Sequence, residues 1–324
     1  LERTRWPEEL PGTGWDYGSN LDYIKELVEY WRTKFDWRAQ EKLINSFSHF
    51  KTEIDGLGIH FIHEKGKGTN PMPLVVTHGW PGTFFEMHKI IPLLSDPASH
   101  GGDQADAFDV VVPSMPGYGF SDHTTERGLD VLSVGDLWAK LMSENLRYGR
   151  FGAQGGDWGG GISTWLGFDA SPACKAVHLN IMMMRHQDGP QTPEEEAWSE
   201  RFVHEQELEE GYRTIQGTKP QTLSYAMMDS PVGVAAWIIE KFNTWSDTKG
   251  DDPESVYTKD QLLTNIMIYL VTGTFNTASW IYYGRRQEGG RNIPLGAKRV
   301  EDPVNVAVFP AEFQPWPPRS YVER

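Results

Sequence analysis

The sequence predicts an α/β fold whose sheet is mostly parallel. Three short apolar runs, LVV (74–76), VVV (110–112) and AVHL (176–179), are continuous rather than alternating, as in strands buried on both faces. Amphipathic segments lie between them, and this alternation of strand and helix favours right-handed crossovers in a doubly wound sheet. From residue 191 to about 296 the pattern is helical, and VNVAVFP (304–310) then resumes the strand type. We therefore predict one α/β core interrupted by a helical insertion.

The first elements precede the parallel strands. Residues 21–35 repeat apolar side chains at helical spacing, and Asn20 is the predicted N-cap. Residues 50–64 place Asp55-Gly56 between two strand-like runs, which is typical of a β-hairpin. The chain is thus predicted to enter its sheet through a helix and a hairpin.

Four candidate parallel strands each end in a loop rich in Gly or Pro. They are PLVVTHGWPG (73–82), FDVVVPSMPGYG (108–119), YGRFGAQGGDWG (148–159) and KAVHLNIMM (175–183). Between the second and the third, residues 133–146 carry apolar side chains on one helical face, with Ser133 as the predicted N-cap. The longest apolar-rich run, LLTNIMIYLVTGTF (262–275), is too short and too polar to span a bilayer, so we predict a buried helix.

Composition describes an ordinary globular protein and excludes some partners. Of 324 residues, 39% are hydrophobic, enough for a sizeable core. The formal net charge of −15, without any Lys/Arg cluster, argues against nucleic acid. The one cysteine, Cys174, excludes an internal disulfide framework and predicts a reducing compartment, so we expect a cytoplasmic protein. The sequence starts at Leu1, in a pattern typical of the middle of an element. A membrane anchor ahead of this residue therefore remains an alternative.

The stretch GGDWG (155–159) holds an aspartate among glycines. It fits the pattern G-x-D-x-G between a predicted strand and a predicted helix, which is the geometry of a nucleophile elbow with Asp157 where serine hydrolases have Ser. Glycines two residues before and after the apex are needed because a Cβ would clash in so tight a turn. The helix that follows directs its N–H groups at the apex and favours an anion there. The alternative is that Asp157 is a helix N-cap.

A second motif, HGWPG (78–82), follows the predicted strand PLVVT. In α/β hydrolases a loop of this type donates one N–H group to the oxyanion hole, and the residue after the nucleophile donates the other. These donors would be the backbone N–H groups of Trp80 and Trp158. Pro81 would set the loop through a cis peptide bond. We expect the His78 side chain to be structural, because the base in this fold comes later in the chain.

Five long motifs resemble those of the microsomal-type epoxide hydrolases, and the resemblance runs from about Arg5 to the end. They are HGWPG, SMPGYGFSD, AQGGDWGG, GYRTIQGTKPQTLSYAMMDSPVG and LLTNIMIYLVTGTFNTASWIYY. The resemblance implies an α/β-hydrolase core, a helical cap and an N-terminal segment that wraps the core. The N-terminal segment would comprise residues 1–50 and the first part of the core residues 51–190. The cap would comprise residues 191–296, and the second part of the core residues 297–324.

The resemblance also implies the site residues. Asp157 matches the nucleophile, Tyr212 the first cap tyrosine, Tyr282 the second (with Tyr283 as an alternative) and Glu312 the acid of the triad. An Asp carboxylate is ionised at neutral pH and can attack an epoxide carbon to form an ester. Two neutral phenols can donate protons to the leaving alkoxide. Water would then hydrolyse the ester with the help of a histidine that the acid orients.

The histidine base is the one member of this set that the sequence does not contain. None of the ten histidines follows Glu312, where the family places its base. The sequence ends at Arg324, before a further helix, strand and histidine loop could form. We therefore expect the sequence to be part of a longer protein, with the catalytic histidine outside residues 1–324.

The resemblance implies a reaction without metal or organic cofactor. The expected partners are a small apolar epoxide and water, with a homodimer as a further option and no nucleic acid. His60 and His63 lie three apart on a predicted strand and would face opposite sides, so a metal pair is not expected. Two alternatives remain: a haloalkane-dehalogenase-like hydrolase, which would bind halide through Trp or Asn N–H groups, and an inactive homologue with a binding role.

Overall fold

The structure is a computed structural model, and it describes residues 1–288, 292–293 and 299–324. Its strands are β1 His49–Ile54, β2 Leu57–Glu64, β3 Met72–Thr77, β4 Phe108–Pro113, β5 Phe151–Gly155, β6 Cys174–Leu179, β7 Arg185–His186, β8 Asn292–Ile293 and β9 Val304–Val306. Seven of these form one sheet in the order β1-β2-β4-β3-β5-β6-β9. Strands β3, β4, β5, β6 and β9 run parallel, whereas β1 and β2 are antiparallel. The predicted α/β fold with a mostly parallel sheet is confirmed.

Burial on both faces explains why the strand sequences are continuous apolar runs. In β3, Val75 packs into a cluster on one side of the sheet and Val76 into a cluster on the other. In β4, Val111 and Val110 divide in the same way. Because successive side chains of a strand point to opposite faces, a strand covered on both sides has no face open to solvent, and apolar residues follow one another along it.

The predicted hairpin joins β1 and β2. Ile54 pairs with Leu57, and the two residues between them, Asp55 and Gly56, have φ angles of 50° and 79°. Two successive positive φ values match the right-handed twist of the flanking strands, as in a type I′ turn. This antiparallel pair forms the edge of the sheet farthest from β9.

The helices divide between the core and a helical block. Those of the first 190 residues are α1 Leu21–Thr33, α2 Trp37–Ile44, α3 Ile90–Ser95, α4 Val131–Lys140 and α5 Trp158–Trp165. Those of the block are α6 Pro193–Thr218, α7 Pro220–Asp229, α8 Pro231–Thr244, α9 Lys259–Thr272, α10 Phe275–Ala278 and α11 Trp280–Glu288, and α12 Arg319–Val322 lies near the end. The predicted buried helix is α9, and the predicted N-cap Asn20 accepts a hydrogen bond from the Tyr23 N–H (2.9 Å).

One predicted cap is wrong. Helix α4 begins at Val131 with Asp130 as its N-cap, and Ser133 is the third helical residue. The Ser133 N–H donates to the Asp130 carboxylate (2.9 Å), and the Asp130 N–H donates to the Ser133 hydroxyl (2.9 Å). This capping box satisfies two otherwise unpaired donors, whereas a cap at Ser133 would satisfy one.

The block predicted as purely helical has one exception. Strand β8 pairs in parallel with β7 in a separate two-stranded sheet. A ladder of two residues is too short to produce a strand period in the sequence. The predicted cap boundary at residue 296 lies outside the described residues.

The N-terminal helix α1 packs against α8 and α9 of the helical block. The Ser19 hydroxyl donates to the Ala236 carbonyl oxygen (2.6 Å), and the Tyr30 hydroxyl donates to the Asp260 carboxylate (2.9 Å). No helix among the described residues combines the length and apolar character that crossing a membrane requires.

Candidate active site

The turn between β5 and α5 holds Asp157 at its apex. Asp157 has φ 47° and ψ −125°, in the region of positive φ that side chains rarely adopt. A Cβ on Gly155 would lie 2.0 Å from the Gly159 carbonyl oxygen, and a Cβ on Gly159 would lie 2.0 Å from the Thr77 carbonyl oxygen. The two flanking glycines are therefore sterically required, as the spacing predicted.

The Asp157 carboxylate faces the HGWPG loop. Asp157 stands at the N-cap position of α5, yet its side chain accepts no capping hydrogen bond. It accepts one instead from the backbone N–H of Trp80 (2.8 Å). Asp157 is thus the N-cap residue of α5 by position, as the alternative predicted, but its carboxylate makes no capping hydrogen bond and accepts one from the HGWPG loop instead.

The HGWPG loop follows β3 and is held from behind by α9. The peptide bond between Trp80 and Pro81 is cis. The Asn265 side chain donates to the Pro81 carbonyl oxygen (2.8 Å), and the Tyr269 hydroxyl donates to the Gly82 carbonyl oxygen (2.8 Å). These contacts hold the Trp80 N–H in place beside the carboxylate.

His78 lies under this loop and is 1% exposed. One ring nitrogen is 3.0 Å from the Gly79 carbonyl oxygen, and the other accepts from the Met115 N–H (3.3 Å). Burial lowers the pKa of His78 to about 4. Both nitrogens are engaged, so the side chain makes structural contacts.

Two tyrosines of the helical block meet the two tryptophans beside Asp157. Tyr212 of α6 stacks on Trp80 with 4.9 Å between ring centroids and 6° between planes. Tyr282 of α11 lies edge-on to Trp158 at 4.7 Å and 5.8 Å from Tyr212. The Tyr282 hydroxyl is buried and makes no hydrogen bond in the described part of the chain. Tyr283 is 39% exposed, so the geometry favours Tyr282 over its neighbour.

Burial dominates the electrostatics of these groups. Desolvation raises the pKa of Asp157, while the N–H groups of Trp80 and Trp158 and the charge of Arg285 act against this rise. Desolvation, followed by the Asp157 charge, raises the pKa of Tyr212. The phenols are therefore neutral donors at neutral pH, and the Asp157 carboxyl group is poorly solvated.

Glu312 and Asp157 line the same cavity. Its volume is about 470 Å³, and its wall includes Trp80, Trp245 and Phe313. Burial raises the pKa of Glu312, and the Asp157 charge adds to this rise. Trp245 and Phe313 stack at 4.7 Å between ring centroids. The wall of the cavity thus combines aromatic rings with carboxyl groups.

Comparison with known proteins places the chain in a family. Residues 1–87 match the family model described as "Epoxide hydrolase N terminus", and residues 72–208 match the model of the alpha/beta hydrolase fold. The chain is 43% identical over 316 residues to a putative epoxide hydrolase of Stigmatella aurantiaca, covering 97% of this chain and 70% of that protein. The chain belongs to the epoxide hydrolase family.

Other relatives of this family member support the same assignment. It is 37% identical over 340 residues to epoxide hydrolase 1 of Oryctolagus cuniculus, covering 97% of this chain and 74% of that protein. Its structure matches that of the juvenile hormone epoxide hydrolase from the silkworm Bombyx mori with a TM-score of 0.84 at 30% identity, covering 99% of this chain and 78% of the other. It also matches the Aspergillus niger epoxide hydrolase with a TM-score of 0.82 at 27% identity, covering 99% and 82%.

Glu86 is a residue of this epoxide hydrolase site that the sequence analysis missed. Its side chain lines the cavity with Asp157, and a Cβ on Gly82 would lie 2.0 Å from its carboxyl carbon. Surrounding protein atoms, and then the Asp157 charge, raise the pKa of Glu86 even though the side chain reaches the open cavity. Glu86 lies in the first turn of a short helix. Acidic residues are common there, so the sequence alone does not mark Glu86 as a site residue.

Two cations of the helical block were also missed. Lys241 lies 5.1 Å from the Tyr212 ring centroid and pairs with Glu209 (2.9 Å). The guanidinium of Arg285 lies 5.0 Å from the Trp158 ring centroid. In the sequence both look like the basic last-turn residues of ordinary helices.

Proposed function

We propose that this epoxide hydrolase adds water to an apolar epoxide in two steps, through an ester on Asp157, with release of a vicinal diol. The observation that carries the proposal is the Asp157 carboxylate at a strained elbow, facing a loop N–H, with two cap phenols across the same pair of tryptophans. We also propose that residues 191–296 act as the cap that supplies these phenols.

In the first step, one Asp157 oxygen attacks an epoxide carbon. A carbon–oxygen ester bond forms, the ring carbon–oxygen bond breaks, and its electron pair goes to the epoxide oxygen. Tyr212 or Tyr282 gives a proton to that oxygen, because an alkoxide is too basic to leave unassisted. The poorly solvated carboxylate and the neutral phenols are the protonation states that this step needs.

In the second step, water attacks the carboxyl carbon of the ester. The N–H groups of Trp80 and Trp158 donate hydrogen bonds that stabilise the negative charge developing on the carboxyl oxygen. The Trp80 nitrogen already lies 2.8 Å from an Asp157 carboxylate oxygen. The water gives up a proton to a base, and Glu312 faces the cavity where it would orient a histidine. Collapse of the intermediate breaks the ester bond to the substrate oxygen, which takes the proton from the base. The remaining proton of the water returns to the phenolate, so that Asp157 is restored as a carboxylate and the diol is released.

The halide-binding alternative keeps one specific observation in its favour. The indole N–H groups of Trp80 and Trp158 are buried without hydrogen-bond partners in the described part of the chain. Unpaired indole donors beside the nucleophile candidate are the type of group that would bind a halide ion. Parallel assays with an alkyl halide and an epoxide of the same carbon skeleton decide between the two hydrolases, and activity with neither favours an inactive homologue.

Water-oxygen labelling tests the ester mechanism. The natural protein is incubated in ¹⁸O water, in molar excess over a styrene-type or aliphatic epoxide. A single turnover should place the label in the peptide that contains Asp157 and leave the diol unlabelled. Label in the first diol released would show direct attack of water on the epoxide instead.

Sedimentation velocity of the same preparation tests the homodimer option.

A further inference from the structure

Arg285 is a buried cation for which the proposed mechanism has no role. Its side chain is 7% exposed, and its Nη2 has no hydrogen-bond partner among the described residues. It takes part in none of the ion pairs that these residues form. Nearby Arg213, in contrast, pairs with Glu210 (3.3 Å) and donates to Gln206 (2.9 Å). A buried charge without such a partner is costly, so its surroundings need an explanation.

The surroundings of Arg285 are the site itself. Arg285 follows Tyr282 by three residues on α11, so the two side chains share a helical face. Its guanidinium lies 5.0 Å from the Trp158 ring centroid, and that ring lies 4.7 Å from the Tyr282 ring. The nearby anion is Asp157, whose pKa the charge of Arg285 lowers, against the dominant effect of burial. The charge of Arg285 also acts to lower the pKa of Tyr212, again against burial.

We propose that Arg285 is a positioning residue for epoxide opening, whose charge stabilises the anion first on Asp157 and then on the phenol–alkoxide pair. This rests on the proposed function. When the ester forms, Asp157 loses its negative charge and the epoxide oxygen gains it. Proton transfer from a tyrosine then leaves a phenolate in place of the alkoxide. One negative charge thus moves from one neighbour of Arg285 to another, and Arg285 forms and breaks no bond.

The charge on Arg285 persists at neutral pH. Burial, and then the charge of Arg213, lowers the pKa of Arg285 to about 10, which still leaves the guanidinium protonated at pH 7. Burial also raises the pKa of Tyr282, so a phenolate there is unfavourable without a nearby cation. Arg285 supplies that cation from a fixed helix, and a fixed charge in a water-poor site needs no reorganisation during the reaction.

The test compares three variants of the natural protein by single-turnover alkylation. These are Arg285→Gln, Arg285→Lys and the control Arg286→Gln, which removes an exposed arginine from the same helix. The amount of ester is measured by quenching and mass spectrometry of the Asp157 peptide, with thermal unfolding as a check of folding. We expect Arg285→Gln to slow alkylation on the order of 10-fold or more, since loss of one oxyanion-hole donor costs on the order of 10²-fold. Arg286→Gln should alkylate at the wild-type rate.

The pH profile separates a charge effect from a packing effect. Alkylation requires ionised Asp157, so its rate falls at acid pH. Removing a cation that favours ionised Asp157 raises the pKa of that group, and the acid limb should move to higher pH in Arg285→Gln. Arg285→Lys should keep the limb near its wild-type position but lose rate at alkaline pH, because a buried lysine gives up its proton more readily than arginine. The other titratable groups that the Asp157 charge influences are the carboxyls of Glu86 and Glu312, which line the same cavity, and the phenols of Tyr118, Tyr212, Tyr269 and Tyr282.

Three results would overturn the inference. One is that Arg285→Gln alkylates at the wild-type rate and that its rate falls at the same acid pH as that of the wild-type protein. Another is equal slowing in the Gln and Lys variants with no change in either limb, which would indicate packing alone. If Arg285→Gln does not fold, the Lys variant decides, and a profile without a new alkaline limb counts against the charge. If the wild-type protein forms no ester on Asp157, the proposed function fails, and this inference with it.

Discussion

At the scale of single residues, strain and desolvation at Asp157 suit its proposed role as the nucleophile. A non-glycine residue at φ 47° and ψ −125° costs on the order of 1–3 kcal/mol, and it persists because β5, α5 and the HGWPG loop leave no other arrangement. At this apex the carboxylate accepts a hydrogen bond from the Trp80 N–H (2.8 Å). The side chain thus has few solvating partners, which suits the proposed role of a nucleophile.

Replacement of the nucleophile gives the first prediction. Asp157→Asn should abolish diol formation, because an amide of nearly the same shape is neutral and a much weaker nucleophile. Diol is measured after purification at low temperature, with intact mass used to exclude deamidation back to Asp. Full activity in protein that still carries Asn at this position would remove Asp157 from the mechanism.

The two phenols give the second prediction. General-acid assistance contributes about 10²–10⁴-fold, so Tyr212→Phe with Tyr282→Phe should leave little alkylation. Each single variant should keep measurable activity because the other phenol still donates. Tyr283→Phe is the matched control, since that side chain is 39% exposed. Near-normal rates in the double variant, with a loss in the control, would transfer the role to Tyr283.

At the scale of elements, the elbow depends on how closely β5 and α5 approach β3. The carbonyl oxygen of Thr77, the last residue of β3, lies where a Cβ of Gly159 would be. Backbone atoms in a central strand cannot retreat as a flexible side chain could. The glycines are therefore a requirement of the strand–turn–helix geometry rather than of flexibility.

That contact gives the third prediction. Gly159→Ala should destabilise the fold by about 3 kcal/mol or more, because the clash is with backbone and the core is closely packed. Gly149→Ala is the control, since nothing lies within 4 Å of a Cβ at that position. Chemical denaturation measures both variants. Equal midpoints for the two would show that the turn has room for a side chain.

At the scale of the whole molecule, the site joins segments that are far apart in sequence. Trp80 follows β3, Asp157 follows β5, and the phenols come from α6 and α11. The helical block and the core meet at the ring contacts between Trp80 and Tyr212 and between Trp158 and Tyr282. In the proposed mechanism, opening of the epoxide thus requires both parts of the fold to be in place.

The distribution of groups gives the fourth prediction. Residues 1–324 include Asp157 and both phenols, while His78 has both ring nitrogens engaged in structural contacts. A polypeptide of these residues that folds should therefore react once with an epoxide and stall as the ester. Mass spectrometry should show one added substrate mass on the Asp157 peptide, with almost no diol. Sustained turnover would make His78 the first candidate for the base.

The predictable part of the fold and site followed from short-range rules. Continuous apolar runs predict buried strands, Asp55-Gly56 predicts the hairpin, and the spacing of glycines predicts the elbow, because each depends on sterics within a few residues. The cap of α4 is misplaced by the sequence because Asp130 and Ser133 are both good N-caps, and only the backbone geometry distinguishes them. The pair of β7 and β8 escapes prediction because two residues carry no period.

The sequence by itself determined the parallel sheet, the tight turn at Asp157 and the family to which the chain belongs, since these depend on local patterns and on long motifs. Only the tertiary structure decided that the Asp157 carboxylate faces the Trp80 N–H, that Glu86 shares its cavity and that Arg285 lies beside Trp158. The physical reason is that burial and charge–charge distances are properties of elements packed together. Arg285 and Asp157 influence each other because α11 packs over the β5–α5 turn, and no pattern along the chain records that contact.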